Sequence, residues 1–338
     1  MAGTAMVSGG TGYIATYVIR QLLDAGWTVH TTIRNLNREA DVRKRFPDAN
    51  NQLKFFQADL MHDEGWAAAM AECTHVAHVA SPIVAAAPKH EDDLIVPARE
   101  GTLRALKFAK EAGVKRFVQT SSMAAVAYGV DKGTHDFDES DWTDINHPDS
   151  YAYVKSKAIA ERAARDWVRE HAEGMEYCSV NPGMVLGPVD DGDFSASVLA
   201  VQQLTDGSMP MVPNIAYPLV DVRDVADLHV KAMIAASIDN DRFLAAGPTL
   251  TFQEMGHILK ERLGDKARKV PTKQMPDWLV SVFALFNEEV RGIKSEIGKI
   301  RRVKGTHSQD KLGWTMRPVE DTLVDTAESL IEHGVVTV

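Results

Sequence analysis

Short apolar runs alternate with longer stretches of helical periodicity over the first half of the chain. The first apolar run covers residues 4–8, and in the stretch at 13–23 the residues Ile14, Val18 and Leu22 recur on one helical face. Further strands are predicted near 28–33, 53–57, 75–80, 115–121 and 175–180, and further helices near 63–70, 92–112 and 150–171. Strands separated by helices of this length predict right-handed crossovers and a doubly wound parallel sheet.

The alternation becomes irregular after about residue 183, where prolines are frequent. One strand-to-helix unit at 219–226 returns to the earlier pattern. Because 338 residues exceed one typical domain, we predict an α/β core with a smaller, mostly helical C-terminal capping region. The predicted core takes residues 1–182 and 219–241, and the predicted cap takes residues 183–218 and 242–338.

Glycines separate the first predicted strand from the first predicted helix. Gly9, Gly12 and Ala15 are three residues apart, and Gly10, Gly12 and Ala15 fit a second spacing typical of dinucleotide sites. Such a turn lets the backbone approach a pyrophosphate, which free amides at the helix N-terminus attract. A structural turn is the alternative, but the second apolar strand at 28–33 favours a dinucleotide site. The predicted contacts are Gly9, Gly12, Tyr13 and Ile14.

Arg34 ends the second predicted strand, where a site selective for NAD more often carries Asp or Glu. A carboxylate there would bind the ribose 2′-hydroxyl, whereas a guanidinium can form a pair of hydrogen bonds to a 2′-phosphate. Arg34 therefore favours NADP(H) as the cofactor. Arg38, Arg43 and Lys44 could add positive charge, although a solvated helix face is the preferred interpretation for at least two of them.

Two overlapping Tyr-x-x-x-Lys pairs occur on one predicted helix, Tyr151 with Lys155 and Tyr153 with Lys157. An offset of two residues rotates a helix by about 200°, so the two pairs face nearly opposite directions. The face below Tyr151 is mostly charged, whereas the face below Tyr153 can pack on the sheet. We therefore predict that Tyr153 and Lys157 point inward. The residues that continue their face are Ala160, Ala164 and Trp167.

The inward pair predicts acid–base chemistry. A phenol titrates near pH ~10 and exchanges protons poorly at neutrality unless a cation stabilises its phenolate, which Lys157 would do. The same ammonium could bind the nicotinamide ribose. Ser122 directly follows a predicted strand and could orient a carbonyl oxygen as charge develops on it. Taken singly, Ser122 could be a turn residue and the Tyr-Lys pair a surface pair. Together with the glycine turn, they predict hydride transfer with Tyr153 as general acid.

These motifs resemble the extended short-chain dehydrogenase/reductase superfamily, most closely its dihydroflavonol-reductase-like branch of aldehyde and ketone reductases. The run from Ser156 to Glu161 matches the usual continuation of the family's Tyr-x-x-x-Lys, and Lys311-Leu-Gly-Trp314 matches a structural landmark. The resemblance implies a Rossmann core and further cofactor contacts. These are Asp59 and Leu60 near the adenine, Val79, Ala80 and Ser81 along the cofactor, Pro182 near the nicotinamide, and Val185 in the same motif.

The segments that this family places over the nicotinamide are mainly apolar and aromatic here. They predict a bulky hydrophobic aldehyde or ketone as substrate, although ordinary cap packing is the alternative for about half of these residues. Ala127 stands where plant flavonoid reductases carry a polar residue that faces substrate hydroxyls, which argues against a flavonoid. The predicted pocket residues are Pro82, Ala125, Ala127, Met184, Phe194 and Tyr217.

Composition and charge limit which molecules the protein is expected to bind. The net charge of −10 and the dispersed basic residues argue against nucleic-acid and acidic-membrane surfaces. Cys73 and Cys178 are too few for a disulfide framework, and no uncharged apolar run approaches about 18 residues. His75 and His78 are expected on opposite faces of a strand, so no metal site is expected. We expect a soluble, cytoplasmic monomer or homodimer.

The preferred function is an NADPH-dependent carbonyl reductase, reversible as an alcohol dehydrogenase. A nucleotide-sugar epimerase or dehydratase and a 3β-hydroxysteroid dehydrogenase share the Ser-Tyr-Lys set and remain alternatives. Residues 183–218 contain no Lys or Arg that could clamp a diphosphate, which argues against the epimerase. A non-catalytic NADP-sensing regulator is an alternative of another class, against which the intact Ser122, Tyr153 and Lys157 argue.

Overall fold

Twelve strands lie within the residues that the computed structural model describes, which are 3–82, 88–190, 195–238, 240–283 and 294–337. They are β1 Thr4–Val7, β2 Thr28–Ile33, β3 Leu53–Gln57, β4 His75–His78, β5 Arg116–Thr120, β6 Gly133–Phe137, β7 Glu176–Pro182, β8 Met184–Leu186, β9 Ala216–Asp221, β10 Arg242–Ala245, β11 Thr249–Thr251 and β12 Lys299–Val303.

Helices alternate with these strands. In chain order they are α1 Tyr13–Asp24, α2 Glu39–Arg43, α3 Trp66–Met70, α4 Asp92–Glu111, α5 Ala152–His171, α6 Ala196–Thr205, α7 Val222–Ile234, α8 Phe252–Leu263, α9 Asp277–Phe283, α10 His307–Leu312 and α11 Val319–Glu332. Within the described ranges, no helix is both long and apolar enough to cross a bilayer.

Seven strands form one parallel sheet in the order β3-β2-β1-β4-β5-β7-β10. The order reverses direction at β1, so helices cover both faces, as in a doubly wound Rossmann sheet. Because helices cover both faces of the sheet, β5 is buried at every position, and β1 and β2 are almost entirely buried. The predicted fold class is confirmed.

Each face of the sheet has its own apolar layer. On one face α1 packs against α7, with Val18 and Leu228 fully buried between the helices and the sheet. On the other face α4 packs against α5, and Leu106 and Ala164 belong to its core cluster. The small residues on the inner side of α5 allow this close approach of helix and sheet.

The cap has a separate core and two smaller sheets. Residues from α6, α8 and α11, such as Val201, Leu259 and Leu323, form one apolar cluster. These sheets have the strand orders β11-β9-β8 and β12-β6, and the second pairs β6 of the predicted core with β12 of the predicted cap. β10, however, pairs with β7 in the main sheet. The core therefore extends past residue 241 to Ala245, because Arg242–Ala245 forms the last strand of the main sheet. The predicted boundary at residue 241 is one strand too early.

Two predicted elements are shorter in the structure, each for a local reason. The helix expected near 63–70 begins only at Trp66, because Gly65 has a positive φ of 85° and interrupts the helical backbone. The strand expected near 75–80 ends at His78, because the Ala80 amide turns to donate to Ser8 Oγ at 2.9 Å.

Trp314 ties the late part of the chain to the core. Its ring is fully buried, and its Nε1 donates to the Asp224 carbonyl at 2.9 Å. We expect Trp314→Ala to lower the free energy of unfolding by about 3–5 kcal/mol, because it removes a large buried ring. Urea denaturation measures this change. Trp278→Ala is the matched control, since Trp278 is 68% exposed. Equal effects of the two substitutions would contradict this account.

Candidate active site

The predicted site segments converge at the carboxyl ends of the parallel strands. The glycine turn follows β1, Arg34 follows β2, Asp59 and Leu60 follow β3, and Ser122 follows β5. Parallel strands end at one edge of a sheet, so these segments lie along a single edge beside the reversal of strand order. The structure thus brings together residues that are far apart in the sequence.

The glycine turn is shaped for close approach of a ligand to the backbone. Gly9 has a φ of 74°, which strongly favours glycine, and a side chain at Gly10 would overlap Thr31. No side-chain hydrogen bond caps the start of α1 at Gly12. The first amides of the helix, including those of Tyr13 and Ile14, are therefore available to an anion, as the predicted pyrophosphate site requires.

A buried polar bridge connects the glycine turn to the segment after β4. Ser8 Oγ hydrogen-bonds His78 Nδ1 at 3.0 Å and accepts from the Ala80 amide. Burial lowers the pKa of His78 to about 3, so the imidazole is neutral. This bridge holds Val79, Ala80 and Ser81 beside Gly9, and sequence analysis had missed the part played by His78.

Arg34 is exposed just beyond β2, and no residue in the described part of the chain pairs with it. Two of its basic neighbours have other partners, since Arg43 bonds Glu39 at 2.8 Å and Lys44 pairs with Asp41 at 2.8 Å. Arg38 is exposed on the short 3₁₀ turn that precedes α2. Arg34 thus has the position and the freedom to bind a phosphate.

Arg45 was missed by the sequence analysis. Its Nη1 donates to the Thr11 carbonyl at 3.2 Å and to Thr16 Oγ1 at 3.1 Å, so its charge lies beside the glycine turn. Arg43, Lys44 and Arg45 are three adjacent basic residues, and the sequence does not indicate which of them contacts the glycine turn. Only the tertiary contacts of Arg45 do so.

The inward orientation of Tyr153 and Lys157 on α5 agrees with the geometry. Lys157 is only 8% exposed, and its Nζ lies 5.8 Å from the Tyr153 ring centre, whereas Lys155 pairs with Glu91 on the surface. None of the described residues accepts a hydrogen bond from Lys157 Nζ. A buried ammonium without a hydrogen-bond partner is suited to a ligand with hydroxyl groups.

The protonation of this pair differs in one respect from the expectation. Burial raises the pKa of Tyr153, and a hydrogen bond from Ser122 offsets only part of that rise. Burial also lowers the pKa of Lys157 to about 8, against the influence of Glu161. The expected lowering of the Tyr153 pKa by Lys157 is therefore not seen, because burial dominates both groups. Tyr153 is a neutral phenol near pH 7, which is the form that donates a proton.

Ser122 is held in an extended conformation at the end of β5. Its Oγ accepts from the Ala124 amide at 3.1 Å, and its hydroxyl bonds Tyr153. Its carbonyl accepts from Asn181 Nδ2 at 3.1 Å. Ser122, Tyr153 and Lys157 thus form one contiguous group, with Ser122 fixed through its backbone.

Glu161 lies beneath this group as a completely buried carboxylate. It accepts hydrogen bonds from Ser121 at 2.6 Å, Asn181 at 2.7 Å and Arg242 at 2.7 Å, and Ser179 and Arg165 donate as well. Burial alone would raise the pKa of Glu161, but Arg242 and Arg165 hold it below its ordinary value. The carboxylate joins α5 to three neighbouring strands and fixes the backbone around Ser122.

The remaining predicted cofactor residues occupy the same edge. The Asp59 carbonyl accepts from Trp66 Nε1 at 2.9 Å, and Leu60 packs against Gly101 of α4. Pro182 is buried at the end of β7, and Val185 is buried in β8. These positions agree with a site along the edge, and their contacts with a cofactor remain predictions.

The predicted substrate pocket is placed only in part. Ala125 and Ala127 have no exposed surface, and Met184 is nearly buried within the cap core. Pro82 and Tyr217 keep part of their surface exposed. Phe194 lies outside the described residues. The two alanines therefore contribute little surface to a pocket, because their segment is packed inside the protein.

A family model settles the relationship. The model of the NAD dependent epimerase/dehydratase family matches residues 5–245. The chain belongs to this family. The matched span contains the glycine turn, Ser122, Tyr153 and Lys157, and so covers the whole edge described above.

Individual members of the family resemble the chain over most of its length. The cinnamoyl-CoA reductase CAD2 of Medicago truncatula is 30% identical over 98% of this chain and 97% of its own. An anthocyanidin reductase of Vitis vinifera is 30% identical over 80% of this chain and 83% of its own. The resemblance to the reductase branch of the extended short-chain dehydrogenases/reductases is therefore confirmed.

Solved structures show the same fold. The yeast methylglyoxal/isovaleraldehyde reductase Gre2, solved in complex with NADPH, superposes with a TM-score of 0.80 at 24% identity. The match covers 98% of this chain and 100% of that protein. Core and cap together thus have a fold that is already known from a solved structure.

The Glu161 network generates a stability prediction. We expect Glu161→Gln to lower the free energy of unfolding by about 3–5 kcal/mol at neutral pH, because it leaves two buried guanidinium groups without their carboxylate. Since the Glu161 pKa is lowered in the folded protein, this contribution is present above the ordinary value of 4.5 and is lost on acidification. The difference from wild type should therefore shrink below pH 4.5.

Urea denaturation at several pH values checks both statements. Glu328→Gln is the control, because Glu328 forms an exposed ion pair with Lys266 and should change stability by less than about 1 kcal/mol. A difference from wild type that stays constant down to strongly acidic pH would show that the Glu161 charge does not matter.

Proposed function

We propose that this chain is an NADPH-dependent oxidoreductase that reduces a bulky, mainly hydrophobic aldehyde or ketone to the alcohol, reversibly. The observation that carries the proposal is the contact group at the carboxyl edge, where a neutral Tyr153 bonds Ser122 beside the buried Lys157. The relatives named as reductases support the reaction class. Membership of the family supports a nicotinamide dinucleotide as the cofactor.

The residues present fit this cofactor. The glycine turn and the uncapped start of α1 would bind the pyrophosphate, Arg34 the 2′-phosphate, and Lys157 the nicotinamide ribose. The similar fold of yeast Gre2 is described with NADPH. When bound, NADPH supplies the hydride that reduces the carbonyl carbon.

Ser122 and Tyr153 then act on the carbonyl oxygen of the substrate. Ser122 donates a hydrogen bond to this oxygen and orients it, and Tyr153 gives it a proton as negative charge develops. The raised pKa of Tyr153 keeps the acid protonated before the reaction. Lys157, when charged, stabilises the phenolate that remains, and solvent restores the proton.

The alternatives have weaker support. A nucleotide-sugar epimerase needs cations in the cap to bind a diphosphate, and residues 183–218 contain none from Lys or Arg. A 3β-hydroxysteroid dehydrogenase would use the same side chains on another large apolar substrate, so it differs only in substrate. A non-catalytic NADP-sensing regulator has no need of the buried Lys157 beside Tyr153.

Tyr153→Phe tests the proposed acid. We expect kcat for aldehyde reduction to fall by about 100- to 10,000-fold, because the phenol supplies the proton. The dissociation constant for NADPH, measured by fluorescence titration, should change little. Tyr177→Phe is the matched control, because it removes a hydroxyl that bonds Gln119 and not the catalytic group, and it should retain the chemical step. Near-full turnover of Tyr153→Phe would rule out this residue as the acid.

Arg34→Ser tests the cofactor preference. We expect KM for NADPH to rise by about 10- to 100-fold while KM for NADH changes little, because a charge-assisted hydrogen bond to the 2′-phosphate is lost. Arg169→Ser removes an equal charge from an exposed position on the last turn of α5 and serves as the control. Parallel changes with both cofactors would argue that Arg34 does not contact the 2′-phosphate.

The Lys157 pKa of about 8 predicts a pH dependence. The ammonium is charged below this value and neutral above it, so stabilisation of the phenolate is lost as pH rises. We therefore expect kcat for reduction to decline above pH 8. A pH–rate profile at saturating NADPH measures this decline, and a profile that stays level up to pH 10 would contradict the role of Lys157.

A further inference from the structure

A polar cluster lies beside Tyr153 and takes no part in the proton transfer proposed above. It consists of Tyr128, Tyr151, Tyr217, Glu296 and Arg301, and we call it the tyrosine–glutamate cluster. Its members come from four stretches of the chain, since Glu296 and Arg301 are only five residues apart. Glu296 and Arg301 are almost completely buried, whereas Tyr151 is 41% exposed, and burial of two charged side chains requires a reason.

Glu296 and Arg301 form the buried base of the cluster. Each side chain is 2% exposed, and Arg301 Nη1 donates to Glu296 Oε2 at 2.7 Å. Arg301 Nε donates to the Ala127 carbonyl at 2.8 Å, and its guanidinium carbon lies 3.9 Å from the Tyr128 ring centre. The ion pair is therefore fixed against the backbone of Ala127, a predicted pocket residue whose side chain has no exposed surface.

Two polar atoms of the cluster have no partner. Glu296 Oε1 is buried, and no described residue donates a hydrogen bond to it. The Tyr217 hydroxyl likewise makes no hydrogen bond within the described part of the chain, although its ring packs edge-on against Phe252 at 6.4 Å. Buried carboxylate oxygens are almost always hydrogen-bonded, so Glu296 Oε1 is an acceptor suited to a donor from a ligand. Tyr217 keeps part of its surface exposed, so its hydroxyl is able to bind a ligand group as well.

The tyrosines connect these atoms to the catalytic group. Burial raises the pKa of Tyr217 and of Tyr151, and nearby Tyr128 and Glu296 raise both further, so Glu296 lies within electrostatic reach of each hydroxyl. Tyr151 packs edge-on against Tyr128 at 6.4 Å, and Tyr153 lies close enough to Tyr128 to raise its pKa. The unpartnered atoms are thus on the same side of the fold as the proposed acid.

We propose that the tyrosine–glutamate cluster is a polar subsite of the substrate pocket, and that the substrate carries a hydroxyl group in addition to its carbonyl. Glu296 Oε1 accepts the hydrogen of this hydroxyl, and Tyr217 donates to its oxygen. The inference rests on the proposed carbonyl reduction. It also changes the conclusion drawn from Ala127, because Arg301 bonds the Ala127 carbonyl and links it to Glu296, which supplies polarity that the Ala127 side chain lacks.

Matched aldehydes test the subsite. The probes are 3- and 4-(hydroxymethyl)benzaldehyde, each compared with the ethylbenzaldehyde of the same substitution pattern, which has nearly the same size but no hydroxyl. We expect wild type to prefer the hydroxyl compound by about 10- to 100-fold in kcat/KM at one ring position or both, because a hydrogen bond to a buried charge is gained.

Glu296→Gln should reduce this preference at least tenfold while leaving kcat/KM for the ethyl compounds within about threefold. Tyr217→Phe, which removes only a hydroxyl, should reduce the preference in the same direction and provides the test if Glu296→Gln does not fold. Glu100→Gln, at an exposed position on α4, is the matched control.

Three results would overturn the subsite. Equal rates of wild type on hydroxyl and ethyl compounds would mean that Glu296 binds water only. A preference that survives in both Glu296→Gln and Tyr217→Phe would assign recognition of the hydroxyl to other residues. Absence of NADPH oxidation with all four aldehydes, and with a wider panel of carbonyl compounds, would refute the proposed function and the subsite with it.

Discussion

The hydrogen bonds of the buried Glu161 carboxylate are the constraint on which the site most depends. One side chain on α5 accepts from Ser121 after β5, from Ser179 and Asn181 on β7, and from Arg242 on β10. Ser122 follows β5 and Pro182 ends β7, so both residues lie at the carboxyl edge of these strands. A charge in this position is stable only because two guanidinium groups and three neutral donors surround it. The network thereby joins α5 to the ends of these strands and fixes the backbone that carries Ser122.

Burial also determines the protonation of Tyr153 and Lys157. Tyr153 remains a neutral phenol, while Lys157 lies close to losing its proton under mildly alkaline conditions. An acid that starts protonated and a cation that can stabilise the resulting phenolate are what reduction of a carbonyl requires. The same apolar surroundings that suit a hydrophobic substrate therefore also tune the two groups that act on it.

Much of this architecture could be predicted from the sequence, since period and glycine spacing are local properties. The inward face of α5 followed from small residues at Ala160 and Ala164, and the sheet from the alternation of strands and helices. Contacts between distant segments could not be predicted in this way. Arg45 reaches the glycine turn, β10 joins the main sheet, and Arg301 contacts Ala127 only because of tertiary packing. Burial also reversed the expected shift of the Tyr153 pKa, which no spacing of residues could show.

The central claim is that the chain uses NADPH as a dissociable reductant for carbonyl compounds. The most direct measurement follows the absorbance of reduced nicotinamide with purified protein and a panel of aromatic and aliphatic aldehydes, ketones and diketones, first with NADPH and then with NADH. The nucleotide released on denaturation is identified in parallel. The account predicts consumption of NADPH well above that of NADH. No consumption with either cofactor, together with release of tightly bound NAD, would contradict it and favour an epimerase.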